Sequence, residues 1–322
     1  MRRFVVRIIF VGTAAFGVPV LKKLISLEEE IVTVITQPDR PAGRGKKLQP
    51  SPIKEAAMNA GLSLYQPESI NSGDSVKKIK ELSPDLIVLI AYGQILSRNV
   101  LGIPVQGCLN IHPSLLPYYK GSAPVQWTII RGEKETGISF LFMSEKIDSG
   151  DIILQKKVNI LPGENYLELS NRLSIQSAEM LPDILDSLKK GNYKKYSQAE
   201  GEYFYARKIC KDDCRIDWSK TGKDIFNLIR GIAYIPCAYT EFKGKRIKIT
   251  KASLVTLENT NHIKQSQKPG DIIDVSKKGI QVLTGDDDSI VIKRLILPGS
   301  KEMDVSQFIN GYKITVEDSF EY

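Results

Sequence analysis

A chain of 322 residues, 42% hydrophobic and 25% charged, is too long for one small core and suits two domains, each burying its own apolar interior. Its 45 Lys and Arg against 37 Asp and Glu give a net charge of +8, which points to an anionic partner, with solubility as the plainer use of the same charge. Four cysteines, two histidines and no run near ~20 uninterrupted apolar residues argue against a disulfide framework, a metal centre and a membrane span, and place the chain in the cytoplasm.

The opening MRRFVVRIIFVG has the arginines and apolar run of a signal peptide, but Arg7 interrupts the run and a Gly-containing turn follows, so it reads as a buried strand. The turn has Gly12 and Gly17 only. Without G-x-G-x-x-G, a dinucleotide site is disfavoured. VPVLKKLISL then has helical spacing and IVTVIT reads as a second strand. That strand runs into QPDRPAGRGKKLQP, a loop broken by Gly and Pro that carries Arg40, Arg44, Lys46 and Lys47. Asp39 stands where nucleotide-binding sheets place a ribose acid, so the segment admits either a dinucleotide edge or a grip on a larger anion.

SPIKEAAMNAG and SVKKIKELS read as helices, and DLIVLIAYG as a strand. GCLNIH precedes the helical APVQWTIIRG, and GISFLFM precedes DIILQKKVNI. Near-continuous apolar strands separated by helices predict an α/β fold, a Rossmann-like mostly parallel sheet covered on both faces. Helical spacing from about Glu164 to Lys190, with a kink or break at Pro182, closes a first domain over residues 1–190. GNYKKYSQAEGEYFYARK lacks a sustained period and is expected to be a linker, residues 191–207. Residues 208–322 then hold a helix, GKDIFNLIRGI, and short strands with turns at Lys243-Gly244, Lys278-Gly279 and Asp286. That spacing predicts a small, partly open OB-like β-barrel.

GCLNIHPSLLP is the most informative stretch. Residues two apart on a strand share a face, so Asn110 and His112 project together where Pro113 ends the ladder. An amide there suits a developing oxyanion, and an imidazole suits proton transfer near neutral pH. The plain alternative is that both satisfy backbone groups at a strand end. Asp148, in KIDSGDI after the following strand, is expected to emerge at the same edge of the sheet. Hydrogen-bonded to the imidazole it would orient the ring and keep it protonated; an ordinary Asp-Gly turn is the alternative. The set contains no Ser or Cys, which points to direct attack by an amine or water rather than a covalent intermediate.

Taken in order, TQPDRPAGRGKKL, AYGQIL, NIHPSLLP and IDSGDI, followed by YARKI and RIDW, resemble the methionyl-tRNA formyltransferase family over almost the whole chain. The resemblance implies transfer of a formyl group from 10-formyltetrahydrofolate to the α-amine of methionyl initiator tRNA without a metal; no membrane is involved, and a monomer is the expectation although the sequence does not give the oligomeric state. It implies that Asn110 and protonated His112 stabilise the tetrahedral oxyanion and that Asp148 holds His112. Ser114, Leu115, Leu116 and Pro117 would line the folate site. The basic segment would be a mobile finger at the acceptor end of the tRNA, with Arg44 reading it and Arg40, Lys46 and Lys47 meeting phosphates. Lys243, Lys245, Arg246 and Lys248 would extend that track. YYKGSAP departs from the family's more basic version and leaves Lys120 as the cation there. Glycinamide ribonucleotide or a nucleotide-linked amino sugar would be rival acceptors, but enzymes for the former resemble only the first domain. An inactive tRNA-binding module would not need Asn110, His112 and Asp148 together.

Overall fold

A computed structural model describes residues 5–42, 47–256, 267–286 and 288–321. The chain divides into two compact units. Residues 1–124, 135–159 and 170–206 form the first, and 125–134, 160–169 and 207–322 form the second.

The first unit is built on a seven-stranded sheet. Its strands are β1 (Arg7–Gly12), β2 (Glu30–Ile35), β5 (Leu64–Tyr65), β6 (Leu86–Ile90), β7 (Cys108–His112), β8 (Glu135–Phe142) and β9 (Ile152–Asn159), in the order β5-β2-β1-β6-β7-β8-β9. The strands from β5 to β7 are parallel, which is the expected arrangement. All five residues of β6 and of β7 are buried. Such strands must be covered on both faces, and their sequences carry no polar alternation for that reason. The helices over them start on local signals: Ser51 Oγ accepts from Lys54 N ahead of Pro52, and Ser72 Oγ accepts from Ser75 N.

Four expectations change. GISFLFM and DIILQKKVNI are not further parallel strands: β8 runs antiparallel to β7 and β9 antiparallel to β8. Of the kink or break expected at Pro182, the break does not occur: the helix Tyr166–Lys190 continues through that residue. The basic segment is partly regular, since β3 (Arg40–Ala42) and β4 (Lys47–Gln49) pair antiparallel as a two-stranded ribbon; Arg44 and Lys46 lie outside the described residues. Finally, residues 191–206 do not run free. Tyr196 forms a bridge with Ile152, Tyr205 forms one with Lys120, and Tyr118 meets Tyr203 edge-on at 4.9 Å between ring centroids.

In the second unit an antiparallel sheet runs β10-β11-β14-β13-β12, comprising β10 (Ala238–Phe242), β11 (Lys245–Val255), β12 (Ile272–Ser276), β13 (Gly279–Leu283) and β14 (Ser289–Ile296), with β15 (Glu302–Asp304) on β14. The β10–β11 turn places Lys243 at φ +49 and Gly244 at φ +70, the paired left-handed geometry that lets a two-residue turn follow the strand twist. The chain's end joins the two outer strands. Ser319 bridges Asp271 beside β12, and Glu321 bridges Glu241 in β10, so the partly open barrel is completed by a segment the strand spacing did not reveal. Helix Gly222–Gly231 is capped by Thr221, and Gly222 N also donates to Asp286 Oδ1, giving that aspartate a capping role.

Trp218 is fully buried in this unit, donates Nε1–H to Thr240 Oγ1 at 3.0 Å and stacks on Phe320. Phe320 also meets Phe242 at 5.3 Å between centroids. Phe320→Ala should therefore cost about 3–5 kcal/mol through lost burial and a residual cavity. Both tryptophans of the chain belong to this unit, so the lower unfolding midpoint should appear in intrinsic fluorescence under urea; an unchanged midpoint would show that the terminal segment does not hold the barrel.

Candidate active site

Asn110 and His112 share one face of β7 and are 7% and 5% exposed. Burying two polar side chains in an apolar strand is costly unless each finds partners. Asn110 Nδ2 donates to Asp148 Oδ1 at 3.2 Å, and His112 Nδ1 lies 3.6 Å from Asp148 Oδ2. The three side chains thus converge, although the His–Asp separation is longer than a hydrogen bond.

Asp148 reaches this point by a route the strand order did not suggest. Because β8 is antiparallel, Leu109 pairs with Phe142, so the carboxyl end of β8 lies at the start of β7 and not at its end. The 143–151 connection must turn back along β7 to deliver Asp148. It does so tightly: a Cβ on Gly150 would stand 1.7 Å from the Phe142 carbonyl oxygen. Asp148 itself has φ +47, and Tyr119, across the site, has φ +60. Left-handed backbone at residues with a side chain persists only where surrounding contacts enforce it, and it gathers at functional sites.

The segment after Pro117 supplies those contacts through its backbone. The Tyr119 carbonyl accepts from His112 Nε2 at 3.0 Å, which requires the proton on Nε2, and Gly121 N donates to Asp148 Oδ2 at 2.9 Å. Lys120 Nζ donates to Ser149 Oγ, whose own hydrogen goes to the Ile147 carbonyl. No motif marks such backbone groups, and reasoning from side-chain types missed them.

A cavity of about 110 Å³ opens beside Asn110 and Asp148. Leu89, Ile95, Leu141, Met143 and Ile147 form its apolar walls, with Gln94 and Ser144 as further polar groups. His112 is not among the lining residues, its Nε2 being held by Tyr119. Cys108, at the start of β7, is buried, which pushes its thiol up to about 12.

Ser114, Leu115, Leu116 and Pro117 do not line this cavity. Ser114 is buried and donates to the Tyr118 carbonyl at 2.7 Å. Leu116 N donates to Ser139 Oγ and the Leu116 carbonyl accepts from Gln155 Nε2, while Leu115 packs over Gly137. The turn is tied to β8 and β9. On the ribbon, Arg40 pairs with Glu68 at 3.1 Å and Lys47 is exposed. Asp39 accepts from Lys54 at 2.6 Å and from Gln66 at 2.9 Å, bonds that hold its carboxyl below the usual range and tie it to the neighbouring helix and to Gln66. Among the described residues, no cluster of His, Cys, Asp and Glu is placed to hold a metal, and no helix is long and apolar enough to cross a membrane.

An amide and an imidazole gathered on a carboxylate beside a cavity, on a mostly parallel sheet followed by an antiparallel barrel, coincide with two family matches. The formyl transferase family matches residues 6–185, and the formyl transferase C-terminal domain matches residues 208–313. By fold and by these two matches this is a formyltransferase. The chain is 41% identical over 309 residues to methionyl-tRNA formyltransferase of Clostridium botulinum (strain Alaska E43 / Type E3), spanning 96% of this chain and 97% of that one. It is 43% identical over 308 residues to that of Alkaliphilus metalliredigens (strain QYMF), 96% of each. The chain belongs to the methionyl-tRNA formyltransferase family, and its activity is formylation of methionyl-tRNA.

Likeness to more distant structures is one of fold. HypX from Aquifex aeolicus, in complex with tetrahydrofolic acid, matches with a TM-score of 0.65 at 18% identity over 95% of this chain and 47% of that one. An N-formyltransferase from Helicobacter canadensis, with folinic acid and dTDP-3-aminofucose, matches with a TM-score of 0.66 at 17% identity over 89% and 98%.

Proposed function

We propose that the formyl donor is 10-formyltetrahydrofolate, that the acceptor is the α-amine of methionyl initiator tRNA, and that Asn110, His112 and Asp148 carry the transfer. The observation that supports this most is the convergence of Asn110 and His112 on Asp148 beside a cavity lined by apolar side chains and a few polar groups. A flat heterocycle with hydrogen-bonding edges suits such a lining. The two folate-bound neighbours add support at the level of fold.

The co-substrate supplies an activated one-carbon unit on N10. Attack needs the neutral amine, which is substantially present near pH 8. As the new C–N bond forms, negative charge gathers on the formyl oxygen. Asn110 Nδ2 has a second hydrogen to offer there, because only one is used by Asp148. His112 contributes when its ring releases the Tyr119 carbonyl, with Asp148 holding the opposite nitrogen; such contacts tighten once substrate is bound. The amine's proton passes to N10 as the C–N10 bond breaks. The Ser114–Pro117 turn enters as the support of the folate site, continuing the strand beyond His112.

Residues 1–190 are proposed as the catalytic, folate-binding domain, 191–207 as the connection and 208–322 as the tRNA-binding domain. Arg40, Arg44, Lys46 and Lys47 would grip the acceptor end, Arg40 and Lys47 standing on the paired strands β3 and β4. Arg44→Ala is expected to raise KM for initiator tRNA roughly tenfold or more, the worth of a good base contact, with the folate KM unchanged. Steady-state kinetics varying each substrate in turn would check it, and an unchanged tRNA KM would remove Arg44 from the interface. Running glycinamide ribonucleotide and a nucleotide-linked amino sugar beside methionyl-tRNA tests the acceptor; turnover of either rival in preference to tRNA would overturn the reading.

A further inference from the structure

We infer that Gln198 is a positioning residue for formyl transfer, its side-chain amide holding the Asp148–Gly150 turn in the conformation that presents Asp148 to Asn110 and His112. The inference rests on the role of Asp148 proposed above. Asp148 has φ +47, a conformation its own Cβ disfavours. Its carboxylate end is fixed by Asn110 Nδ2 and Gly121 N. Its backbone end is fixed by Gln198, whose Nε2 donates to the Asp148 carbonyl at 2.8 Å and to the Gly150 carbonyl at 2.9 Å.

Two carbonyl oxygens brought to one point repel. A primary amide nitrogen carries two hydrogens, one for each, and no other uncharged side chain except Asn offers the same pair. That also settles which way the amide faces, because Oε1 in this place would meet two acceptors. Gln198 is brought there by its neighbours. Tyr196 and Ile152 exchange backbone hydrogen bonds of 2.8 and 2.9 Å, and Ser197 Oγ reaches Asp151 Oδ1 at 3.2 Å. Gln198 is partly buried, while the residues beside it are exposed. A segment read from its sequence as a plain connection thus reaches the catalytic loop.

The test uses the full-length protein with methionyl-tRNA and 10-formyltetrahydrofolate. Gln198→Met keeps the length and removes both donors. It should lower kcat roughly 10- to 100-fold, the cost of a small misplacement of a reacting group, while both KM values stay within about twofold. In an Asp148→Ala background, followed by single-turnover kinetics, adding Gln198→Met should change the rate by less than about twofold, since the effect passes through Asp148. Wild-type kcat in Gln198→Met would overturn the inference. So would an equal loss persisting in the Asp148→Ala background, or a raised tRNA KM with kcat intact. Should the Met variant not fold, Gln198→Glu retains size and polarity without the donors: the same loss supports the inference and wild-type kcat overturns it. Full kcat in Asp148→Ala alone would instead defeat the role of Asp148, a separate failure.

Discussion

Asn110→Ala is expected to lower kcat for formylation roughly 10²- to 10³-fold, the usual cost of one oxyanion donor. The amide contributes little to holding the substrates, so KM for tRNA and for the folate should stay near their wild-type values. An interaction made in the transition state alone shows as this split. Asn110 also anchors Asp148, so Asn110→Asp is an informative companion. It keeps the size but sets a second carboxylate against Asp148 and loses the donor, and it should be at least as damaging. His112→Ala should fall in the same range. Its ring spans from the Tyr119 carbonyl to Asp148, so removing it also takes away a hydrogen bond that ties the 118–121 segment to β7. Circular dichroism would establish that the three variants are folded. Wild-type turnover in either alanine variant would remove that residue from the chemistry.

Gly150→Ala is expected to be nearly as severe, for a steric reason. The added methyl would lie 1.7 Å from the Phe142 carbonyl oxygen, 2.9 Å from the carbon of the same carbonyl and 3.3 Å from the Met143 carbonyl carbon. These are backbone atoms at the end of β8, so no rotamer change relieves the clash. The turn itself must move, and Asp148 is two residues away. A displacement of that size predicts a fall in kcat of roughly 10²-fold together with about 1–3 kcal/mol of lost stability. Gly73→Ala is the control. A Cβ there meets nothing within 4 Å, and Ala loses less backbone entropy on folding than Gly, so that variant should be neutral or slightly stabilised. Wild-type kcat in Gly150→Ala would mean that the turn has slack the structure does not suggest.

Much of the first unit was legible because its strands are extreme. LIVLI and CLNIH are buried at every residue, and a run of that kind has few alternatives to a central strand. The pairing of Asn110 with His112 was legible too, since period-two geometry is a property of the strand itself. The direction of β8 was not, because an apolar run reads the same whether the strand is parallel or antiparallel to its neighbour. The expectation that Asp148 converges on the pair therefore rested on the wrong topology, and the convergence arises from a returning loop. The ribbon β3–β4 was hidden for another reason. Its arms are three residues each, too short to display alternation.

The sequence by itself determined where the central strands and the longer helices lie, which side chains share a face of one strand, and the family to which the chain belongs. All of these are written in local spacing or in ordered motifs. Only the tertiary structure decided that the Tyr119 carbonyl holds His112, that Gly121 and Gln198 hold Asp148, and that residues near 320 complete the barrel. Those contacts are made by backbone groups or single polar side chains far apart along the chain. They have no period of their own, and they exist because sheet register and the need to pair every buried polar group bring them within hydrogen-bond reach.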